Sequence, residues 1–192
     1  MGRENSGKEA VFTTNGSKIT GSMKGMYYFL VGVSAVIPVL FMLKLLYVHV
    51  IDVNGAIATN TQYYLWNSPA LIVKVFNETA DGAFFILATL IPLGMIVAGI
   101  INCIVSIMKA FTEKISWKHA EACNRACTTT ITAILASLLI FNITDPFFTV
   151  ESGFVSQNLY FNSTMYIILG VAIVGKVVAY YYFKAVKKEH LF

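Results

Sequence analysis

His119, Cys123 and Cys127 are the residues of this 192-residue sequence whose types and spacing most suggest chemistry. On a helix, an i, i+4, i+8 course puts an imidazole and two thiols along one stripe, and these are zinc-ligand types. The outer two lie about 12 Å apart along the axis at 1.5 Å per residue, too far for one tetrahedral ion. No metal is therefore expected. Cys103 is the remaining thiol, and all three fall at or near segments read below as cytoplasmic, where cysteines stay reduced. Cys123 and Cys127 are juxtamembrane, which makes them candidates for reversible palmitoylation. His49 and His190 are scattered away from His119, and no nucleotide loop, carboxylate pair or histidine cluster occurs. The chain is expected to be no enzyme and to carry no cofactor.

A second set of residues owes its interest to apolar surroundings. Lys176 sits inside a hydrophobic run, and an intramembrane charge suggests function. Tyr180, Tyr181 and Tyr182 follow it as an interfacial aromatic belt. An ammonium about 6–9 Å inside that belt is within snorkelling reach. Asn102, Thr128, Thr129, Thr130, Thr132 and Ser137 are polar groups in or near the inner halves of spans. Small residues also recur every four positions: Gly94, Ala98, Asn102, Ser106 and Ala110, then Thr129, Ala133 and Ser137, then Gly175 and Ala179. Membrane helices associate through such close-packing and polar positions. Gly94, Ala98, Asn102, Gly175 and Ala179 are accordingly the expected helix-packing residues.

The elements that must position these groups follow from composition. Hydrophobic residues make up 57% and charged residues 12%, about half the charged fraction of a soluble domain. That balance excludes a disordered chain and a nucleic-acid-binding module. The apolar residues fall into four blocks, near 26–48, 84–108, 124–142 and 165–183, each long enough for a helix of about 20 residues to cross the bilayer core. None alternates as a membrane barrel strand does, and no cleavage site follows the first block. The expected fold is an all-α integral membrane protein, a four-helix bundle with kinks near Pro38 and Pro92.

All but Lys44, Lys74 and Lys176 of the 14 basic residues fall in the tail 1–25, the loop 109–123 with Arg125, or the tail 184–192. The positive-inside rule then places both termini in the cytoplasm. Loops 49–83 and 143–164 lie outside. They are aromatic for solvent-facing segments, with Tyr63-Tyr64-Leu65-Trp66 in the first and Phe147-Phe148 and Tyr160-Phe161 in the second. Such residues need burial, either in a small extracellular cap able to include short strands or against a partner. Sequons at Asn77, Asn142 and Asn162 fall at these loops and are candidate glycosylation sites. Met1-Gly2-Arg3-Glu4-Asn5-Ser6 fits the myristoylation pattern at Gly2.

In topology the sequence resembles the claudin-like tetraspan superfamily, which includes claudins, the peripheral myelin protein, clarins and channel-regulatory gamma-type subunits. Two inner termini, four spans and a longer first outer loop carry the resemblance. Leu65-Trp66 matches the end of that family's Gly-Leu-Trp motif; Tyr64 stands at the glycine, and the two loop cysteines have no counterpart. The resemblance implies an auxiliary or structural subunit of a plasma-membrane complex, working with a channel, receptor or adhesion partner. Tyr63, Tyr64, Leu65 and Trp66 would be its outer contacts, beside membrane lipids and a homo-oligomeric contact. The alternative is a small oligomeric transporter or pore lined by the polar set above.

Overall fold

The computed structural model describes residues 20–52, 57–64, 82–113, 115–148 and 155–188, with side chains at 20–43, 90–113, 115–140 and 162–188. Helix α1 (Gly21–Phe41) is followed by strands β1 (Lys44–Asp52) and β2 (Ile57–Tyr64). Helices α2 (Gly82–Glu113) and α3 (Trp117–Phe148), strand β3 (Val155–Phe161) and helix α4 (Ser163–Lys188) complete the order. All four helices are long and apolar enough to cross a membrane.

The first span differs from expectation. Hydropathy places it at 26–48, but the helix occupies Gly21–Phe41 and the chain becomes a strand at Lys44. Thr20 starts the helix early, its hydroxyl accepting from the Met23 N–H at 3.3 Å. Twenty-one residues rise about 31 Å, already the thickness of the hydrocarbon core, so no further turn is needed. The last turn closes by tight bonds from the N–H of Met42 to Val39 and of Leu43 to Leu40, both 3.1 Å. Lys44-Leu45-Leu46-Tyr47-Val48 is apolar enough for a span, but its continuation His49-Val50-Ile51 is β-favouring and finds pairing partners. Lys44 is thus a strand residue.

β1 is the middle strand of an antiparallel sheet ordered β2-β1-β3. Val48 stands opposite Thr61 on β2 and Leu159 on β3. β1 starts almost directly from the end of α1, and β3 feeds α4 through Asn162, so the sheet ties these two helix ends together. Asn162 Oδ1 accepts from the Thr164 N–H at 3.2 Å and serves as the N-cap of α4.

Burial along α2 falls on Pro92, Ile96, Gly99, Cys103, Ser106 and Ala110. These steps of four and three average the helical period, so the set stays on one face. The expected stripe, a strict four-residue recurrence, turns about 40° further with each step at 100° per residue. Gly94 and Ala98 consequently face outward, Asn102 is half-buried, and Ser106 and Ala110 reach the core. On α4 the buried series is Met165, Ile168, Ala172, Gly175, Ala179, Tyr182 and Val186. Its steps of three and four are those of a left-handed bundle. Gly175 and Ala179 therefore do pack inside. A Cβ on Gly175 would stand 2.8 Å from Val33 Cγ1 on α1 and 2.9 Å from Cys127 Sγ on α3, so this glycine sets the approach of three helices.

Candidate functional site: a buried polar chain through four helices

Two apolar clusters fill the bundle. One, toward the sheet, is built around Ile37, Phe41, Ile134, Met165 and Ile168. The other, toward the far end, is built around Met23, Leu30, Ala120, Tyr182 and Val186. A chain of polar side chains runs beside the second. Ser34 Oγ on α1 lies 3.0 Å from Ser106 Oγ on α2, and Ser106 Oγ lies 3.0 Å from Cys123 Sγ on α3. Cys123 Sγ is 3.2 Å from His119 Nε2, and His119 Nδ1 is 3.5 Å from the Tyr182 hydroxyl on α4. Each helix contributes at least one member.

The local reasons are simple. His119 and Cys123 are four residues apart on α3 and so share a face. Tyr27 and Tyr182 set their rings edge-on to the imidazole, at centroid distances of 5.0 and 5.7 Å. The Tyr27 hydroxyl donates to the carbonyl of Ala110 at 2.9 Å and pins α1 to the end of α2. A neutral imidazole has one donor and one acceptor nitrogen, and both nitrogens of His119 have a partner in range. His119 and Cys123 are each fully buried. A thiol beside an imidazole has the composition of a nucleophile–base pair. Here neither atom reaches a surface, so the chain's evident capacity is to hold four helices in register. Interhelical hydrogen bonds in membranes average about 0.6 kcal/mol each, so the network contributes a few kcal/mol at most.

A second polar contact joins α2 to α3. Asn102 Nδ2 donates to Thr129 Oγ1 at 3.0 Å, and that hydroxyl donates to the Arg125 carbonyl at 2.9 Å. Thr132 and Ser137 donate to the carbonyls of Thr128 and Ala133, at 2.9 and 2.6 Å. Thr130 Oγ1 is the buried side-chain oxygen without a hydrogen-bond partner among the described residues. Gly99 passes close by; a Cβ there would stand 3.3 Å from that oxygen.

The remaining expected site residues are distributed as follows. Cys123 and Cys127 are 0% and 1% exposed, inside the core and not on the membrane face. An acyl donor reaches either thiol only if the packing around it opens. Asn142 lies within helix α3 and not in a loop. Tyr63 and Tyr64 close β2, while Leu65, Trp66, Asn77 and Gly2 lie outside the described residues. Lys176 is exposed on the outer face of α4, next to buried Gly175, and no salt bridge is formed by it among the described residues. The network itself was missed in the sequence. In sequence His119 and Cys123 suggest a metal stripe, and Cys123 an acylation site, although the i, i+4 spacing serves a hydrogen-bonded pair equally well.

Among the described residues, two cavities open on the outside of the bundle. One of about 410 Å³ lies between α3 and α4, lined by Trp117, Glu121, Asn124, Ala179, Tyr180 and Phe183. The other, about 520 Å³ and apolar, lies between α1 and α4 around Phe29, Gly32, Val36, Gly170 and Val174. No protein-family model, curated protein or solved structure matches this chain.

Proposed function

We propose that the chain is a non-enzymatic subunit of a larger membrane assembly, an auxiliary or structural partner of a channel, receptor or adhesion protein. The observation that carries this reading is where the polar groups go. Ser34, Ser106, Cys123, His119 and Tyr182 satisfy one another inside the bundle, and Asn102, Thr129, Thr132 and Ser137 bond within or between helices. Groups so engaged are poor candidates to line a pore. Meanwhile Gly94 and Ala98 face outward, and nothing lies within 4 Å of a Cβ on Gly94. Small residues on an outer helix face let another membrane helix approach closely.

The claudin-like resemblance belongs to the same proposal. Strands that follow α1 and precede α4, paired at one end of the bundle, suit that family's outer sheet. We place the sheet outside as a small extracellular cap, both termini in the cytoplasm, and the protein in the plasma membrane. Basic residues Lys109, Lys118, Arg125, Lys184, Lys187 and Lys188 cluster at the opposite end and support that orientation. It puts Asn77 on the side where glycans are attached and Gly2 on the side of myristoylation.

Mild-detergent extraction from the native membrane tests the proposal. A stoichiometric membrane partner is expected; recovery of the lone chain at high yield counts against it. The rival, an oligomeric transporter or pore, is tested by flux through liposomes holding only this protein. Tight liposomes are expected. Conductance abolished by Lys176→Leu or Asn102→Leu would replace the subunit reading.

A further inference from the structure

The cleft between α3 and α4 lies at the end of the bundle opposite the sheet. Its α3 wall is Trp117, Glu121 and Asn124, one face of the helix by their spacing of four and three. Its α4 wall is Ala179, Tyr180 and Phe183. Lys176 precedes Ala179 and Tyr180 by three and four residues, so it stands on the same face one turn nearer the membrane centre. The lining thus runs from aromatic rings at its mouth to the Asn124 amide, and Lys176 stands one turn inward on the same α4 face. Glu121 is the acid of the lining, and its carboxylate is held by Arg125 at 3.1 Å, which offsets its charge. Tyr180 is 61% exposed in a segment read as a span, so the cleft faces lipid and not a water-filled interior. A volume of about 410 Å³ lies within the usual range of about 300–1,000 Å³ for small-molecule sites.

A solvated cation in lipid is costly unless it reaches the interface or an anion. Lys176 forms no salt bridge among the described residues, and the only acid of the neighbouring lining, Glu121, is already paired with Arg125. A lipid phosphate satisfies both needs at once. The surrounding basic residues raise the local concentration of anionic lipid at this end, whereas a zwitterionic lipid gains nothing from them. We propose that this cleft holds one anionic phospholipid, with its phosphate on Lys176 and Asn124 and its glycerol region against Trp117 and Tyr180. The site does not depend on the subunit reading and would exist in an isolated chain.

The sequence contains two tryptophans, Trp66 and Trp117, so Trp66→Phe leaves Trp117 in the cleft as the single reporter. The protein is reconstituted in phosphatidylcholine vesicles with increasing fractions of phosphatidylserine brominated along one chain, or of brominated phosphatidylcholine as reference. Half-maximal quenching of Trp117 is expected at about fivefold lower fraction for phosphatidylserine, the effect of one close lysine at a membrane surface. Lys176→Gln should bring the two curves together, Lys176→Arg should keep them apart, and Lys187→Gln in the last turn of α4 should leave them unchanged. Equal loss of preference in Lys187→Gln, or full preference in Lys176→Gln, overturns the site. Displacement of the lipid by millimolar soluble glycerophosphoserine would overturn its assignment to lipid in favour of a free anion. Native mass spectrometry reads the same question without Trp66→Phe: one phosphatidylserine retained on the wild type and lost from Lys176→Gln is expected, and equal retention by both refutes it.

Discussion

Gly175 and Gly94 look alike in the sequence, and the structure separates them completely. A Cβ on Gly175 meets a β-branched valine, stiff about χ1, and a buried sulfur, both under 3 Å. Gly175→Ala is expected to destabilise by about 1–3 kcal/mol, as overpacking does. Gly94→Ala meets open space and replaces a poor helix former, so stability to thermal unfolding in detergent should be unchanged or raised by up to about 1 kcal/mol. Equal behaviour of the two variants would contradict the packing. His119 permits a similar dissection. His119→Phe keeps a ring between Tyr27 and Tyr182 but removes the imidazole's contacts to Cys123 and Tyr182, for an expected loss of about 1–3 kcal/mol. His119→Ala should cost more, because it adds a cavity. The three thiols supply a direct test of burial. Cys103, Cys123 and Cys127 should resist a membrane-permeant maleimide in the folded protein and react fully in denaturing detergent. Rapid labelling of Cys123 or Cys127 in the folded state would return palmitoylation to consideration.

Elements differ from their sequence expectation mainly where a local preference met a tertiary partner. The block 26–48 is apolar throughout, and hydropathy alone reads it as helix to Val48. The competing signal was present: β-branched and aromatic residues from Tyr47 to Ile51, then Asn54-Gly55, a strong hairpin dipeptide, then another β-favouring run. Pairing of β1 with strands on both sides decides the outcome. This register is testable. Val48→Cys with Leu159→Cys puts two thiols on directly opposed Cα positions, within disulfide reach, and should crosslink within one chain on mild oxidation. Val48→Cys with Gln157→Cys, two residues out of register, should not. The reverse result would place the register elsewhere.

At the scale of the molecule, the bundle is closed by small residues and a buried polar chain, while its outer face is largely apolar, with Phe111 76% and Leu139 62% exposed. Such a surface is in place against lipid or against another protein's helices. If both termini are cytoplasmic, a tag placed before Met1 should be protected from external protease in intact cells, and a tag inserted within residues 65–81 should be cleaved. Cleavage of the N-terminal tag would invert the orientation, and with it the leaflet of the α3–α4 cleft.

The sequence by itself determined the solvent and the number of crossings. Apolar blocks of span length are a local property of composition, and four of them become helices long and apolar enough to cross a membrane. Gly175 and Ala179, singled out by their spacing, are buried in the bundle. Only the tertiary structure decided which face of each helix turns inward. A four-residue repeat drifts round the helix, so Gly94 and Ala98 leave the interior that Ser106 and Ala110 enter. It likewise decided the fate of the polar groups. Ser34 and Ser106 are 72 residues apart and His119 and Tyr182 are 63 apart, and no spacing rule relates side chains that meet only when separate helices cross.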